Sequence, residues 1–108
     1  MPHADLKYSP DLSFAPQAMF AAIEHTILAH DSASGDCKCR SYPAEASNHT
    51  HLLIEISMLS KPHRDEAFTL KLRDAIAAAV KCHLKQSCYI SLAITYSDAM
   101  YLTDRHEI

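Results

Sequence analysis

The chain has 108 residues, enough for a single domain spanning 1–108 with one modest core. Ten Lys and Arg against thirteen Asp and Glu give a net charge of -3 with histidines neutral, which excludes a broad basic field for nucleic acid. The single glycine, Gly35, excludes a glycine-rich phosphate loop, and no run approaches the ~20 apolar residues that cross a bilayer.

The chain opens Met1-Pro2-His3. No basic region followed by an apolar run leads it, so no secretory signal is expected, and a cytoplasmic, thiol-reducing setting follows. Methionine is readily removed when proline comes second. Its loss would leave Pro2 with a free secondary amine. Such an amine is a general base near neutral pH when its surroundings disfavour the protonated form. Proline at this position is also common in proteins where it does nothing, so the rest of the chain decides what it means.

Ala4, Leu6 and Tyr8 alternate with His3, Asp5 and Lys7, the period of a half-buried strand. Ser9-Pro10-Asp11 breaks it. Ser13 is placed to cap a helix with Pro16 in its first turn. Met19, Ile23, Thr26, Ile27 and His30 recur at helical spacing, and the helix should end near Asp31-Ser32 before a turn at Ser34-Gly35. Residues Asp36 to Tyr42 alternate again, with Cys37, Cys39 and Ser41 on one face and Lys38, Arg40 and Tyr42 on the other. His49 to Leu59 gives the clearest strand, with Leu52, Ile54, Ile56 and Met58 on one face. The other face is mixed and suggests partial burial on both sides.

Ser60 is placed to cap a second helix, with Asp65 and Glu66 near its positive end. Phe68, Leu72, Ala75, Ile76, Ala79, Val80 and His83 form its apolar stripe. Cys88, Ile90, Leu92, Ile94 and Tyr96 mark one face of a last strand. The tail from Asp98 has weak periodicity.

The order is strand, helix, strand, repeated. Two such βαβ units predict an α+β domain, with a four-stranded sheet and both helices on one face. The opposite face has no helix of its own. Its apolar residues would need a partner subunit, which argues for an oligomer.

The four cysteines and eight histidines could supply metal ligands by number. Their spacing argues against a zinc site, because structural zinc draws on pairs two to four residues apart in loops or knuckles. Cys37, Cys39, Cys82 and Cys88 read as small buried hydrophobes, without a metal or a disulfide framework.

A duplicated βαβ chain opening Met1-Pro2-His3 resembles the tautomerase superfamily, and within it the 5-carboxymethyl-2-hydroxymuconate isomerase family. Lys38-Cys39-Arg40 looks like that family's basic second strand. His49 to Leu59 looks like its third strand. Arg64 falls where the family has an arginine opening the second helix, and Lys81-Cys82-His83-Leu84 resembles its helix end. Asp5 and Lys7 depart from it, standing where the family prefers apolar residues.

The resemblance implies a homotrimer with sheets inside, helices outside and active sites near subunit boundaries. It implies a cofactor-free isomerase that turns an unsaturated 2-hydroxy dicarboxylate into its keto isomer, in the breakdown of aromatic acids. Pro2 would be the base. Lys38, Arg40 and Arg64 would bind carboxylates or the developing enolate, without a metal or membrane. Two readings stand beside it: a non-catalytic small-molecule-binding or assembly module of the same fold, and a related decarboxylase or dehalogenase. Fold does not decide between them.

Overall fold

A computed structural model describes all 108 residues. Strand β1 (His3–Tyr8), helix α1 (Pro16–His30) and strand β2 (Lys38–Pro43) form the first unit. Strand β3 (His51–Leu59), helix α2 (Glu66–Lys81) and strand β4 (Tyr89–Ser97) form the second. The sheet order is β2-β1-β3-β4. Each helix links a parallel pair, and the two units meet along the antiparallel pair β1–β3.

Alternation sets which side chains meet the helices. Ala4, Leu6, Leu52, Ile54, Ile56 and Met58 are buried in one cluster with Met19, Ile23 and Ile27 of α1 and Leu72, Ile76 and Val80 of α2. Burying each large aliphatic chain stabilises the fold by about 1.5–3 kcal/mol. Both helices therefore cover the same face of the sheet.

Two helix starts differ from the sequence expectation. Ser13 does not cap α1. Its N–H donates to the Gln86 side chain, and α1 begins at Pro16 after Ala15, which makes no side-chain cap. Ser60 does not cap α2. A turn closed by Arg64 N–H on the Lys61 carbonyl intervenes, and Asp65 caps the helix by accepting from the Phe68 N–H at 2.9 Å. The turn after α1 runs through Gly35, whose φ of 76° is the left-handed conformation that glycine adopts without strain.

The open face of the sheet also differs from expectation. It is largely polar: His3, Asp5 and Lys7 lie between Lys38, Arg40 and Tyr42 on one side and Ser57, Glu55 and Leu53 on the other. Arg40 pairs with Asp5 at 2.7 Å and Lys7 with Glu55 at 2.9 Å. These charges occupy the surface that was expected to be apolar, so the hydrophobic argument for a partner on this face does not hold. No helix is long and apolar enough to cross a membrane.

The units repeat one detail beside the sheet ends. The Lys38 N–H donates to the Pro2 carbonyl and the Tyr89 N–H to the Thr50 carbonyl, both at 2.9 Å. Thr50 thus occupies in the second unit the place that Pro2 has in the first.

Candidate active site

Pro2 immediately precedes β1 and belongs with Ala4 and Leu6 on the helix-facing side. It is fully buried, whereas Met1 is 40% exposed. Its carbonyl is fixed by the Lys38 N–H, which ties the start of β1 to the start of β2. With Met1 in place the Pro2 nitrogen is an amide without a basic lone pair. The Met1 carbonyl accepts a hydrogen bond from the Tyr101 hydroxyl at 3.2 Å.

A cavity of about 490 Å³ opens at this end of the sheet, lined by Met1, Asp36, Lys38, Asp104, Arg105 and His106. Loss of Met1 would enlarge it and bring the Pro2 nitrogen to its wall. Lys38 reaches it from the first residue of β2. Its ammonium lies 3.9 Å from Asp36, and both side chains are about half exposed or more, so this contact holds it weakly. Arg105 and His106 arrive from the tail, a contribution that sequence reading missed. No periodicity marks these residues, and only the path of the tail past Met1 brings them to the amino terminus.

Arg40 lies one pleat further along β2, on the open face, and does not line the cavity. Its Nε and Nη2 both donate to Oδ1 of Asp5, at 2.8 and 2.7 Å. Burial disfavours the Arg40 charge, but the hydrogen bond and charge of Asp5 outweigh it and hold its pKa above the ordinary arginine value. Arg40 Nη1 donates to Nδ1 of His3 at 3.2 Å. Arginine has no acceptor, so Nδ1 must be the unprotonated nitrogen, which leaves the proton of neutral His3 on Nε2. Burial, then the Arg40 charge, holds the His3 pKa below its usual value. His3 is therefore a neutral donor beside the basic strand.

Arg64 is placed differently. It is 8% exposed, and its guanidinium is spent inside the protein. Nε and Nη2 each lie 2.8 Å from Oδ2 of Asp31, and Nη1 donates to the Leu59 carbonyl at 2.6 Å. His63 Nε2 adds a bond to the same Asp31 oxygen at 3.0 Å. Burial opposes the Asp31 charge, yet the hydrogen bonds from His63 and Arg64 and their charges hold its pKa below the usual carboxylate range. Asp31 follows the carboxyl end of α1, where a negative charge is unfavourable to the helix dipole. Arg64 and His63 supply the compensation. The anion that a cation at the α2 start needs is thus Asp31, and Arg64 fastens α1 to the β3–α2 connection. Of the four expected site residues, the structure brings Pro2 and Lys38 together, sets Arg40 beside them on the open face, and keeps Arg64 in the interior. The structure brings together no group of three or more metal-ligating side chains.

No protein-family model and no curated protein matches the sequence. Solved structures do match in three dimensions. A fused 4-OT wild-type symmetric trimer aligns with a TM-score of 0.74 at 13% identity, covering 95% of this chain and 93% of its own. A 5-carboxymethyl-2-hydroxymuconate isomerase from Deinococcus radiodurans R1 aligns at 0.69 and 16% identity, over 98% and 90%. A macrophage migration inhibitory factor-like protein from Entamoeba histolytica aligns at 0.62 and 16%, over 97% and 96%. At such identities the likeness establishes a shared tautomerase-like fold across nearly the whole chain, and function must be argued from the site.

Proposed function

We propose that the chain, once Met1 is removed, is a cofactor-independent isomerase of the tautomerase kind, with the Pro2 nitrogen as its general base. The observation that carries this reading is the position of Pro2. It is buried directly behind Met1, which lines a cavity together with Lys38 and Arg105, so that loss of Met1 would open the Pro2 nitrogen to that cavity. The fold shared with a structure named as a 5-carboxymethyl-2-hydroxymuconate isomerase supports a substrate of that class, an unsaturated 2-hydroxy dicarboxylate. The fold shared with a symmetric trimer supports a homotrimer.

The chemistry follows from the charges. A free α-amino group has a pKa of about 7.7–8 and proline's is higher. Burial and nearby cations favour the neutral amine. Lys38, whose N–H is bonded to the Pro2 carbonyl, and Arg105 are the cations that line the cavity, alongside the carboxylates of Asp36 and Asp104. The neutral amine takes the proton from the 2-hydroxyl, leaving a conjugated dienolate, and returns it to carbon further along the chain to give the keto isomer. Lys38 binds a carboxylate or stabilises the developing oxyanion. Arg105, held only by an exposed pair with Glu107 at 3.1 Å, can turn to the second carboxylate. Arg40 enters as a residue for which a substrate carboxylate competes with Asp5, while holding His3 neutral. Arg64 is assigned to the fold.

Intact-mass analysis combined with a dienol assay tests the reading. A chain verified to begin at Pro2 should consume 2-hydroxymuconate-type dienols, followed by loss of their ultraviolet absorbance. A chain that retains Met1 should not convert them. Absence of turnover by the processed chain would leave the non-catalytic binding module as the better account.

A further inference from the structure

Cys37 and Cys39 flank Lys38 at the start of β2 and project to the same side, as alternate residues of an extended segment must. Their sulfurs lie 3.7 Å apart. Cys37 is buried, and its N–H is held by a Glu24 carboxylate oxygen at 2.8 Å. Cys39 is only partly buried, and β2 is an edge strand, so a small reagent has access from the open edge. Cys82 is exposed near the end of α2, and Cys88 precedes β4. A sulfur pair in mutual contact, one member reachable and one sheltered, is the arrangement of an attacking and a resolving thiol.

We propose that Cys37 and Cys39 form a reversible dithiol switch, closing to a disulfide by exchange with a small-molecule disulfide. The Cys39 thiolate attacks one sulfur of that disulfide and expels the first thiol, leaving a mixed disulfide. The Cys37 thiolate then attacks the Cys39 sulfur and expels the second. Two electrons pass from the cysteine pair to the reagent, which leaves as two thiols carrying the two cysteine protons. Contact with Cys37 draws the Cys39 thiol below its ordinary pKa, which favours Cys39 as the attacking group. The same contact, with burial, pushes Cys37 up, consistent with its acting second.

Closure has a structural consequence. Alternate residues of a strand stand about 6.6 Å apart at ~3.3 Å per residue. That is near the upper end of the ~4.4–6.8 Å spanned by disulfides. The Cβ atoms of such a pair project in parallel and stand about as far apart, beyond the ~3.5–4.5 Å that a disulfide needs, so the segment centred on Lys38 must contract. Its N–H is the one that holds the Pro2 carbonyl, so contraction pulls on the junction of β1 and β2. A bond formed under such strain is readily reduced again, as a switch requires. The proposal rests on the two sulfurs and is independent of the isomerase reading.

The test is exposure of the full-length protein to glutathione disulfide, followed by alkylation of free thiols and peptide mapping. Cys37 and Cys39 should become linked to each other within one chain and recover with a dithiol reductant. Amide exchange at Lys38 should quicken in the oxidised form. The Cys39→Ser variant should leave Cys37 free throughout. A persistent glutathione adduct on Cys39 with Cys37 free, no reaction at either residue, or linkage to Cys82 or Cys88 would overturn the proposal.

Discussion

Arg40 and Asp5 form a two-pronged clasp across the β1–β2 pair, with two guanidinium nitrogens on a single carboxylate oxygen at 2.8 and 2.7 Å. Thirty-five residues separate them in sequence. The clasp turns the third nitrogen toward His3 and sets how much of Arg40 is free for any other anion.

Asp5→Asn should release Arg40. Both side chains are more than 30% exposed, so the stability cost should be small, about 0.2–1 kcal/mol by denaturant titration. If Arg40 meets a substrate carboxylate, KM for a dicarboxylate should fall by up to about fivefold, the factor equivalent to ~1 kcal/mol. An unchanged KM would remove Arg40 from substrate binding.

His3 should titrate below its unperturbed value in the folded protein, as followed by its ring proton shifts. Its folded pKa is depressed, so the unfolded state binds the proton more readily. The resulting stabilisation is complete above the unfolded pKa of about 6.5 and is lost as pH falls through the folded value. Arg40→Ala should move the pKa part of the way back, since burial remains the larger cause. A fall in pKa on removing Arg40 would contradict the neutral-acceptor geometry.

Arg64→Ala leaves Asp31 buried without its main partner. A loss of about 3–5 kcal/mol is expected by chemical denaturation. Asp31 has a depressed folded pKa, so its stabilisation is present above the unfolded carboxylate pKa of about 3.9 and disappears as pH falls through the folded one. Asp31→Asn should flatten that acid limb. Arg64→Lys, which keeps the charge, should leave KM for dicarboxylates unchanged. A raised KM in a folded Arg64→Lys protein would restore Arg64 to the substrate site.

Asp65→Ala should cost about 1 kcal/mol by removing the α2 cap, whereas Ser60→Ala should be nearly silent. Equal losses at the two positions would contradict the observed helix start.

The sequence made the fold legible where local periodicity coincides with burial. Leu52, Ile54, Ile56 and Met58 alternate, and all four lie in the core. Leu72, Ile76 and Val80 repeat at helical spacing, and all three are buried. Features fixed by distant partners were less legible. Ser60 and Asp65 are both good caps locally, and the intervening turn decided between them. Lys7 and Glu55 read as separate charges until the antiparallel register sets them within 2.9 Å. Arg64 carries no mark in its own neighbourhood that its counter-ion would be Asp31, across the α1–α2 layer. The Pro2 cavity was half legible: Lys38 was marked by the resemblance of Lys38-Cys39-Arg40 to a basic second strand, but Arg105 and His106 depend on a tail without periodicity.

The central claim is that the Pro2 nitrogen is the base. It is tested most directly by comparing kcat/KM for a 2-hydroxymuconate-type dienol between the chain verified to begin at Pro2 and its Pro2→Ala counterpart, also processed and folded. The account predicts a loss of about 10²–10⁴-fold, the usual share of a positioned general base. Equal kcat/KM in the two proteins would contradict it.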